Sequence, residues 1–244
     1  MDAKIAVVIP ARYGSTRFPG KPLHPIAGKP LLQHVWERCL RARGIASVII
    51  ATDDTRIAEC ATRFGADVAM TSPSHPSGTD RCAEVARKLR SHSHIINVQG
   101  DEPLIDPLLI ARLARTLASN PAVPMITAAT PFKPSEDIQH PNSVKVVLDR
   151  QSDALYFSRS PIPFVRDATA PVRHLRHLGI YGYSRKFLLS FVRWKPGALE
   201  RAESLEQLRA LENGARIRVV LTESVSVGVD SPADLAIAEK LLRS

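Results

Sequence analysis

Three cations and two glycines share the short stretch Pro10–Pro22, and their spacing suits a polyphosphate. Arg12, Arg17 and Lys21 alternate there with Gly14 and Gly20. Glycine lets a backbone approach oxygen atoms closely, exposed N–H groups can form an anion nest, and the cations neutralise charge. The stretch does not fit G-x-x-x-x-G-K-[ST]. Five residues separate Gly14 from Gly20, and Pro22 stands where a Ser or Thr would hold a metal. It does not fit G-x-G-x-x-G either, which argues against a dinucleotide site. On the residues alone it is either a phosphate cradle or a solvated basic connection.

The carboxylates come next. Asp101 follows the apolar run Ile95–Val98 and Gly100, and Asp230 follows Val229. Two carboxylates near a triphosphate suit Mg²⁺, which prefers oxygen ligands and keeps several waters. Asp230 can equally serve the N-terminus of the helix that starts after Ser231-Pro232. Ser77-Gly78-Thr79-Asp80-Arg81 opens another helix. Its N–H groups could take an anion or a base edge, or simply be capped. Arg159, Arg176 and His177 fall near predicted strand ends and suit a substrate carboxylate, which Arg binds bidentately. His34 and His140 read as structural. H-E-x-x-H, a Cys/His cluster and G-x-S-x-G are absent, so zinc chemistry and a serine hydrolase have no support.

These residues need a scaffold, and the first half supplies alternating elements. Ile5–Ile9, Val48–Thr52, Asp67–Met70, Ile95–Val98 and Met125–Thr130 read as strands. Leu31–Leu40, Thr55–Phe64, a segment bearing Cys82, Val85, Ala86 and Leu89, and Pro107–Ser119 read as helices by their apolar spacing. Strands alternating with helices predict a parallel sheet covered on both faces, with ligands at the strands' carboxyl ends. The second half is less regular. Strands are expected over Ser143–Asp149, Ala154–Phe157, Leu178–Tyr183 and Ile217–Leu221, and helices over Lys186–Trp194, Ala202–Glu212 and the C-terminal segment. One domain over 1–244 is expected, with 130–185 partly projecting.

The chain of 244 residues is 44% hydrophobic and 23% charged, a globular composition, and carries a net charge of +9. The positives are spread, and only 5% of residues are aromatic, so a nucleic-acid platform is disfavoured against a small anionic substrate. Cys39, Cys60 and Cys82 fall on apolar helix stripes without a C-x-x-C pair, which predicts buried free thiols and a reducing compartment. No signal peptide or membrane span is read, so a cytoplasmic chain without membrane or nucleic-acid partners is expected.

Several motifs in order carry a more specific resemblance. The stretch from Pro10 to Leu23 resembles the signature loop of the sugar-acid cytidylyltransferases. Asn97–Pro103, Asn142–Val147, Tyr156–Arg159, Arg176–Tyr183, Leu205–Arg209 and Gly228–Leu235 are similar to the branch of that family that loads 3-deoxy-D-manno-octulosonate (Kdo). The resemblance spans nearly the whole chain. It implies a three-layer nucleotidyltransferase α/β fold with a mostly parallel central sheet and a smaller projecting dimerisation region. It implies CMP transfer from CTP to Kdo, for lipopolysaccharide assembly, by a homodimer. Arg12, Ser15, Arg17 and Lys21 would hold the triphosphate, and Thr52, Asp53, Ser77, Gly78 and Thr79 the cytidine. Asp101 and Asp230 would ligate Mg²⁺. Arg81, Gln99, Arg159, His177, Tyr181, Glu206 and Gln207 would surround the sugar acid. Arg12, Lys21, Asp101 and Asp230 would carry the catalysis.

Overall fold

Every residue of Ile5–Ala11 is buried, and the segment forms β1. Its side chains divide by the two-residue strand period. Ile5, Val7 and Ile9 pack into one apolar cluster, while Ala6 and Val8 pack into a second on the opposite face. A strand buried on both sides belongs to the middle of a three-layer fold. The computed structural model describes residues 3–14, 18–167, 169, 171–224, 228–229 and 231–243.

A 3₁₀ turn, Lys21–Leu23, and a two-stranded ribbon, β2 (Pro25–Ile26) and β3 (Lys29–Pro30), lead into α1 (Leu31–Leu40). The alternation continues through β4 (Ser47–Thr52), α2 (Thr55–Arg63), β5 (Asp67–Met70), α3 (Gly78–Lys88), β6 (His94–Asn97), α4 (Pro107–Ser119) and β7 (Met125–Pro131). Then come the hairpin strands β8 (Lys145–Leu148) and β9 (Ala154–Ser158), and the long β10 (Leu175–Ser184). The chain closes with α5 (Arg185–Phe191), α6 (Ala198–Glu203), α7 (Gln207–Glu212), β11 (Ile217–Leu221) and α8 (Pro232–Arg243). Two N-caps show why helices start where they do. Asp54 accepts a bond from Arg56 N at 3.0 Å, and Asp106 accepts one from Leu108 N at 2.8 Å.

Nine strands among the described residues form one sheet, ordered β11-β7-β10-β6-β1-β4-β5, with β8 and β9 added alongside β10. β1 pairs in parallel with β4 and β6, β4 with β5, and β7 with β11. β10 runs antiparallel between β6 and β7. The sheet is therefore mostly parallel, and one reversed strand lies at its centre. Helices α1, α2, α4 and α8 cover one face, and α3, α5 and α7 cover the other. No helix among the described residues is long and apolar enough to cross a membrane.

Three sequence expectations need correction. Cys60 is partly exposed, whereas Cys39 and Cys82 are buried; none of the three forms a disulfide. The expected strand Leu178–Tyr183 begins earlier, at Leu175, and runs to Ser184 inside the central sheet. The expected single helix Ala202–Glu212 is two short helices, joined through Ser204 in the left-handed region at φ 51°. The cause is Arg159. Its Nε donates to Glu203 O at 2.6 Å and its guanidinium also reaches Ser204 O at 3.3 Å. A continuous helix would need those carbonyls for its own amides.

Candidate active site

The carboxyl ends of β1 and β6 open onto one cleft of about 290 Å³. Arg12, Gly14, Lys21 and Pro22 line it from the loop after β1, Ser77, Gly78 and Arg81 from the start of α3, and Gln99, Gly100 and Asp101 from the turn after β6. The loop after β1 folds back on itself. Gly20 N donates to Tyr13 O at 3.0 Å, and Gly20 takes φ +70°, a conformation open to glycine. Arg56 stacks 3.4 Å from the Tyr13 ring centre while its guanidinium pairs with Asp54 at 2.6 Å. That stack pins the loop to the start of α2.

Lys21 is the centre of the basic side. Its side chain is buried, and Nζ donates to Asp101 Oδ2 at 2.7 Å and to Val229 O at 2.6 Å. Val229 N in turn donates to Asp101 O at 2.9 Å. The C-terminal segment is thereby fastened to the turn after β6. Asp230, the next residue, lies outside the described residues, as do Ser15 and Arg17. The turn itself depends on Gly100, whose missing Cβ would lie 2.8 Å from Pro10 O. Only a residue without a side chain lets the turn sit this close to β1.

Arg81 is buried at the back of the cleft. It pairs with Asp53 at 3.0 Å and donates to Thr71 Oγ1 at 2.5 Å. Thr52 is fully buried and accepts from Asp54 N at 3.2 Å. Thr52 and Asp53 are not among the residues that line the cleft, and Asp53 shapes it through Arg81. His75 also lines the cleft, and its Nε2 lies 2.6 Å from Glu84 Oε2. Sequence reasoning passed over this histidine because nothing at fixed spacing marks it.

A second polar group adjoins the same wall. Ser77 Oγ donates to Glu206 Oε1 at 2.9 Å and Thr79 Oγ1 to Glu206 Oε2 at 2.5 Å. Tyr181 OH donates to Gln207 Oε1 at 3.0 Å. Burial pushes the Glu206 carboxyl above its ordinary range, against the lowering pull of Thr79, Ser77 and Arg209. Burial raises the Tyr181 phenol as well, so it stays a hydroxyl. His177 sits between Phe157, edge-on at 5.0 Å, and Tyr181 at 5.5 Å. Desolvation lowers its imidazole to about 3, so the ring is neutral. Two amide donors here are buried and unpartnered, Asn97 Nδ2 and Gln207 Nε2. Orphaned buried donors are rare, and each calls for an explanation.

The wall that bears Glu206 and Gln207 is braced from behind. Arg209 holds Glu200 bidentately at 2.7 and 2.5 Å and lies 3.6 Å from Glu206. Glu212 accepts from Leu199 N at 3.0 Å and Glu200 N at 3.3 Å, capping α6 from the far end of α7. Glu203 accepts from Ser158 Oγ at 2.7 Å and Arg159 N at 2.9 Å. Arg159 also donates to Pro141 O at 3.0 Å, so its guanidinium is spent on carbonyls and clips the α6–α7 hairpin to the sheet. Arg176, the other candidate for a carboxylate, pairs with Glu136 at 2.9 Å. Lys145, fully buried, donates to Arg159 O at 2.6 Å and His140 O at 3.1 Å.

The comparisons with known proteins agree with this geometry. A family model described as cytidylyltransferase matches residues 6–217. The chain is similar to a 3-deoxy-manno-octulosonate cytidylyltransferase of Geobacter sulfurreducens, 52% identical over 97% of this chain and 99% of that protein. One of Solibacter usitatus is also 52% identical, over 100% of this chain and 96% of that protein. A solved structure of CMP:2-keto-3-deoxy-manno-octonic acid synthetase complexed with CTP superposes with a TM-score of 0.94 at 44% identity, over 99% of both chains. A 4-diphosphocytidyl-2C-methyl-D-erythritol synthase from Anaerococcus prevotii, 14% identical with a TM-score of 0.67 over 99% of this chain and 97% of that one, shares the fold.

Proposed function

The chain belongs to the cytidylyltransferase family, and we infer on that premise that it transfers CMP from CTP to Kdo and releases diphosphate. The observation that carries this reading is a shared wall. Ser77 and Gly78 line the cation-bearing cleft, while Ser77 and Thr79 bond Glu206 of the neutral polar group. A triphosphate and a polyhydroxylated acid can therefore meet across one short segment.

Each part then has a role. Arg12 and Lys21, with Ser15 and Arg17 from the same loop, hold the triphosphate and stabilise charge on the departing diphosphate. Ser77, Gly78 and Thr79 frame the cytidine, with Asp53 acting through Arg81 and Thr52 supporting the turn that bears Asp53. Gln99, His177, Tyr181, Glu206 and Gln207 receive the sugar acid, and Arg159 keeps their hairpin in place. The anomeric hydroxyl oxygen attacks the α-phosphorus in line, and the bond to diphosphate breaks. No residue of the chain becomes covalently attached. Positioning of this kind is worth up to ~7–11 kcal/mol.

Mg²⁺ fits the donors. Asp101 offers a partly exposed carboxylate, a hard oxygen donor, on the cleft wall. Among the described residues no group of three His, Cys, Asp or Glu could hold a metal. Mg²⁺ keeps most of its waters and needs only one or two carboxylates, which Asp101 and Asp230 would give. When bound it supplies charge neutralisation at the α-phosphate and a lowered hydroxyl pKa.

Free thiols support a reducing, cytoplasmic setting, where the product feeds lipopolysaccharide assembly. The exposed Phe164, at 86%, and Val172, at 39%, lie on the loop before β10 and support a homodimer. A diphosphate-release assay tests the activity by crossing CTP, UTP and ATP with Kdo, 8-amino-Kdo and sialic acid, with and without Mg²⁺. Release confined to CTP with Kdo and dependent on Mg²⁺ is the expected result. Release with Kdo absent from every combination would refute the reading.

A further inference from the structure

The irregular middle of β10 places two backbone carbonyls around one buried hydroxyl. Leu178 pairs with Ala128 and Tyr181 pairs with Thr127, so residues 179 and 180 are extra on the β10 side. Thr127 Oγ1 lies 2.8 Å from Ile180 O, 3.2 Å from Leu178 O and 2.9 Å from His177 Nε2. Thr127 is fully buried, so no water competes for these contacts.

A hydroxyl has one proton, and carbonyl oxygens only accept. If Thr127 gave its proton to His177, its lone pairs would face Ile180 O at 2.8 Å without a hydrogen between them. The proton must go to a carbonyl, and the third neighbour must donate. We propose that Thr127 fixes the neutral His177 ring as the tautomer protonated at Nε2, so that Nδ1 stands as a lone-pair acceptor for a hydroxyl group of the sugar acid. This rests on the reading of the adjoining polar group as the sugar-acid pocket.

Nδ1 is free to act in this way. Among the described residues it has no hydrogen-bond partner, and it is not among the fully buried atoms left unsatisfied. The low proton affinity of the ring agrees, because a cationic ring would present a second donor instead. The neighbouring unpartnered groups, Asn97 Nδ2 and Gln207 Nε2, are donors. Thr127 is thus a positioning residue, and its effect reaches the ligand through His177.

Nitrogen-15 NMR of histidine-labelled protein without ligand, with His177 assigned through His177→Gln, reads the tautomer directly. The wild-type ring is expected to carry its proton at Nε2 throughout the neutral range. Thr127→Val removes the acceptor and is expected to populate the Nδ1-protonated form. It should raise KM for Kdo roughly three- to tenfold, the size of one lost hydrogen bond, and leave KM for CTP unchanged. Thr127→Ser should restore both. A wild-type ring protonated at Nδ1 overturns the proposal, and so does an unchanged KM for Kdo in Thr127→Val. The wild-type spectrum decides even if the valine variant does not fold. Failure of the proposed activity would show separately, as no diphosphate release by wild type with Kdo.

Discussion

Gly100→Ala probes how closely the acidic turn is held to the basic loop. The new Cβ would lie 2.8 Å from Pro10 O, whereas ordinary contacts begin at 3.4 Å. The difference, 3.4 − 2.8, requires the two backbones to part by about 0.6 Å. Pro10 belongs to β1, paired on both sides, so the turn must give way. Overpacking of this kind costs about 1–3 kcal/mol. For a chain of this length that lowers Tm by roughly 3–10 °C. The turn carries Asp101, which Lys21 grips at 2.7 Å. Since a misplacement of ~1 Å can cost 10²-fold in rate, kcat should fall roughly tenfold or more. Gly44→Ala is the control. Gly44 also needs a glycine backbone, at φ +81°, but has no atom within 4 Å of its missing Cβ and lies at the opposite ends of the strands. It should lose about 1 kcal/mol of stability and no activity. Circular-dichroism melts and diphosphate release at saturating CTP and Kdo give both quantities. A Gly100→Ala protein with wild-type Tm and kcat would falsify the close-approach account, as would an equal loss of activity in Gly44→Ala.

Other substitutions separate function from stability. Lys21→Met removes the side-chain bridge from Asp101 Oδ2 to Val229 O and leaves the backbone bond between those two residues, and kcat should fall roughly 10²–10³-fold with an unchanged far-UV spectrum; near-normal turnover would exclude Lys21 from the triphosphate clamp. Glu206 has a raised folded-state pKa, so its contribution to stability is present in acid and is lost as pH rises through that value. Glu206→Gln should therefore melt at or above wild type at pH 7, lose that advantage in acid, and raise KM for Kdo roughly tenfold; a lower Tm at neutral pH contradicts this. His177 falls from its ordinary 6.5 to about 3 on folding, so unfolding takes up a proton below 6.5 and stability declines as pH drops from there towards 3. His177→Gln should flatten that decline in urea midpoints compared at pH 7 and pH 4.5, and parallel slopes for the two proteins would rule out the neutral buried ring.

What the sequence disclosed depended on how local the cause was. β1, β4 and β6 announced themselves because each holds a short uninterrupted apolar run, Ile5–Ala11, Val48–Ala51 and Ile95–Ile96 with Val98 just beyond, the mark of strands covered on both faces. The basic loop and the turn at Asp101 follow such strands directly, so the gathering of Arg12, Lys21, Gln99 and Asp101 in one cleft was legible. β10 was harder. Gly179 and Gly182 read as interruptions, yet Gly182 lies where a Cβ would meet Leu117 Cδ1 at 2.6 Å, so the strand needs glycine in order to sit under α4. The break between α6 and α7 was hidden because its cause, Arg159, is more than forty residues away. Thr127 and Asn97 were overlooked for the same reason. Each gains its meaning from a strand partner brought in from far along the chain.

The reversed strand at the centre of the sheet has a consequence for biosynthesis. By the time residue 131 has left the ribosome, β1, β4, β5, β6 and β7 all exist, but β6 and β7 do not pair with each other. The strand that joins them is complete only at Ser184. At ~5–20 residues per second, the nascent chain holds an open edge on β6 and a β7 unpaired on both sides for roughly 3–10 s. The nucleotide-binding half can form early, but β6, which carries the turn to Asp101, keeps an unpaired side until β10 arrives. Premature termination between β7 and β10 should therefore yield an aggregating fragment, although it contains most of the cleft's residues.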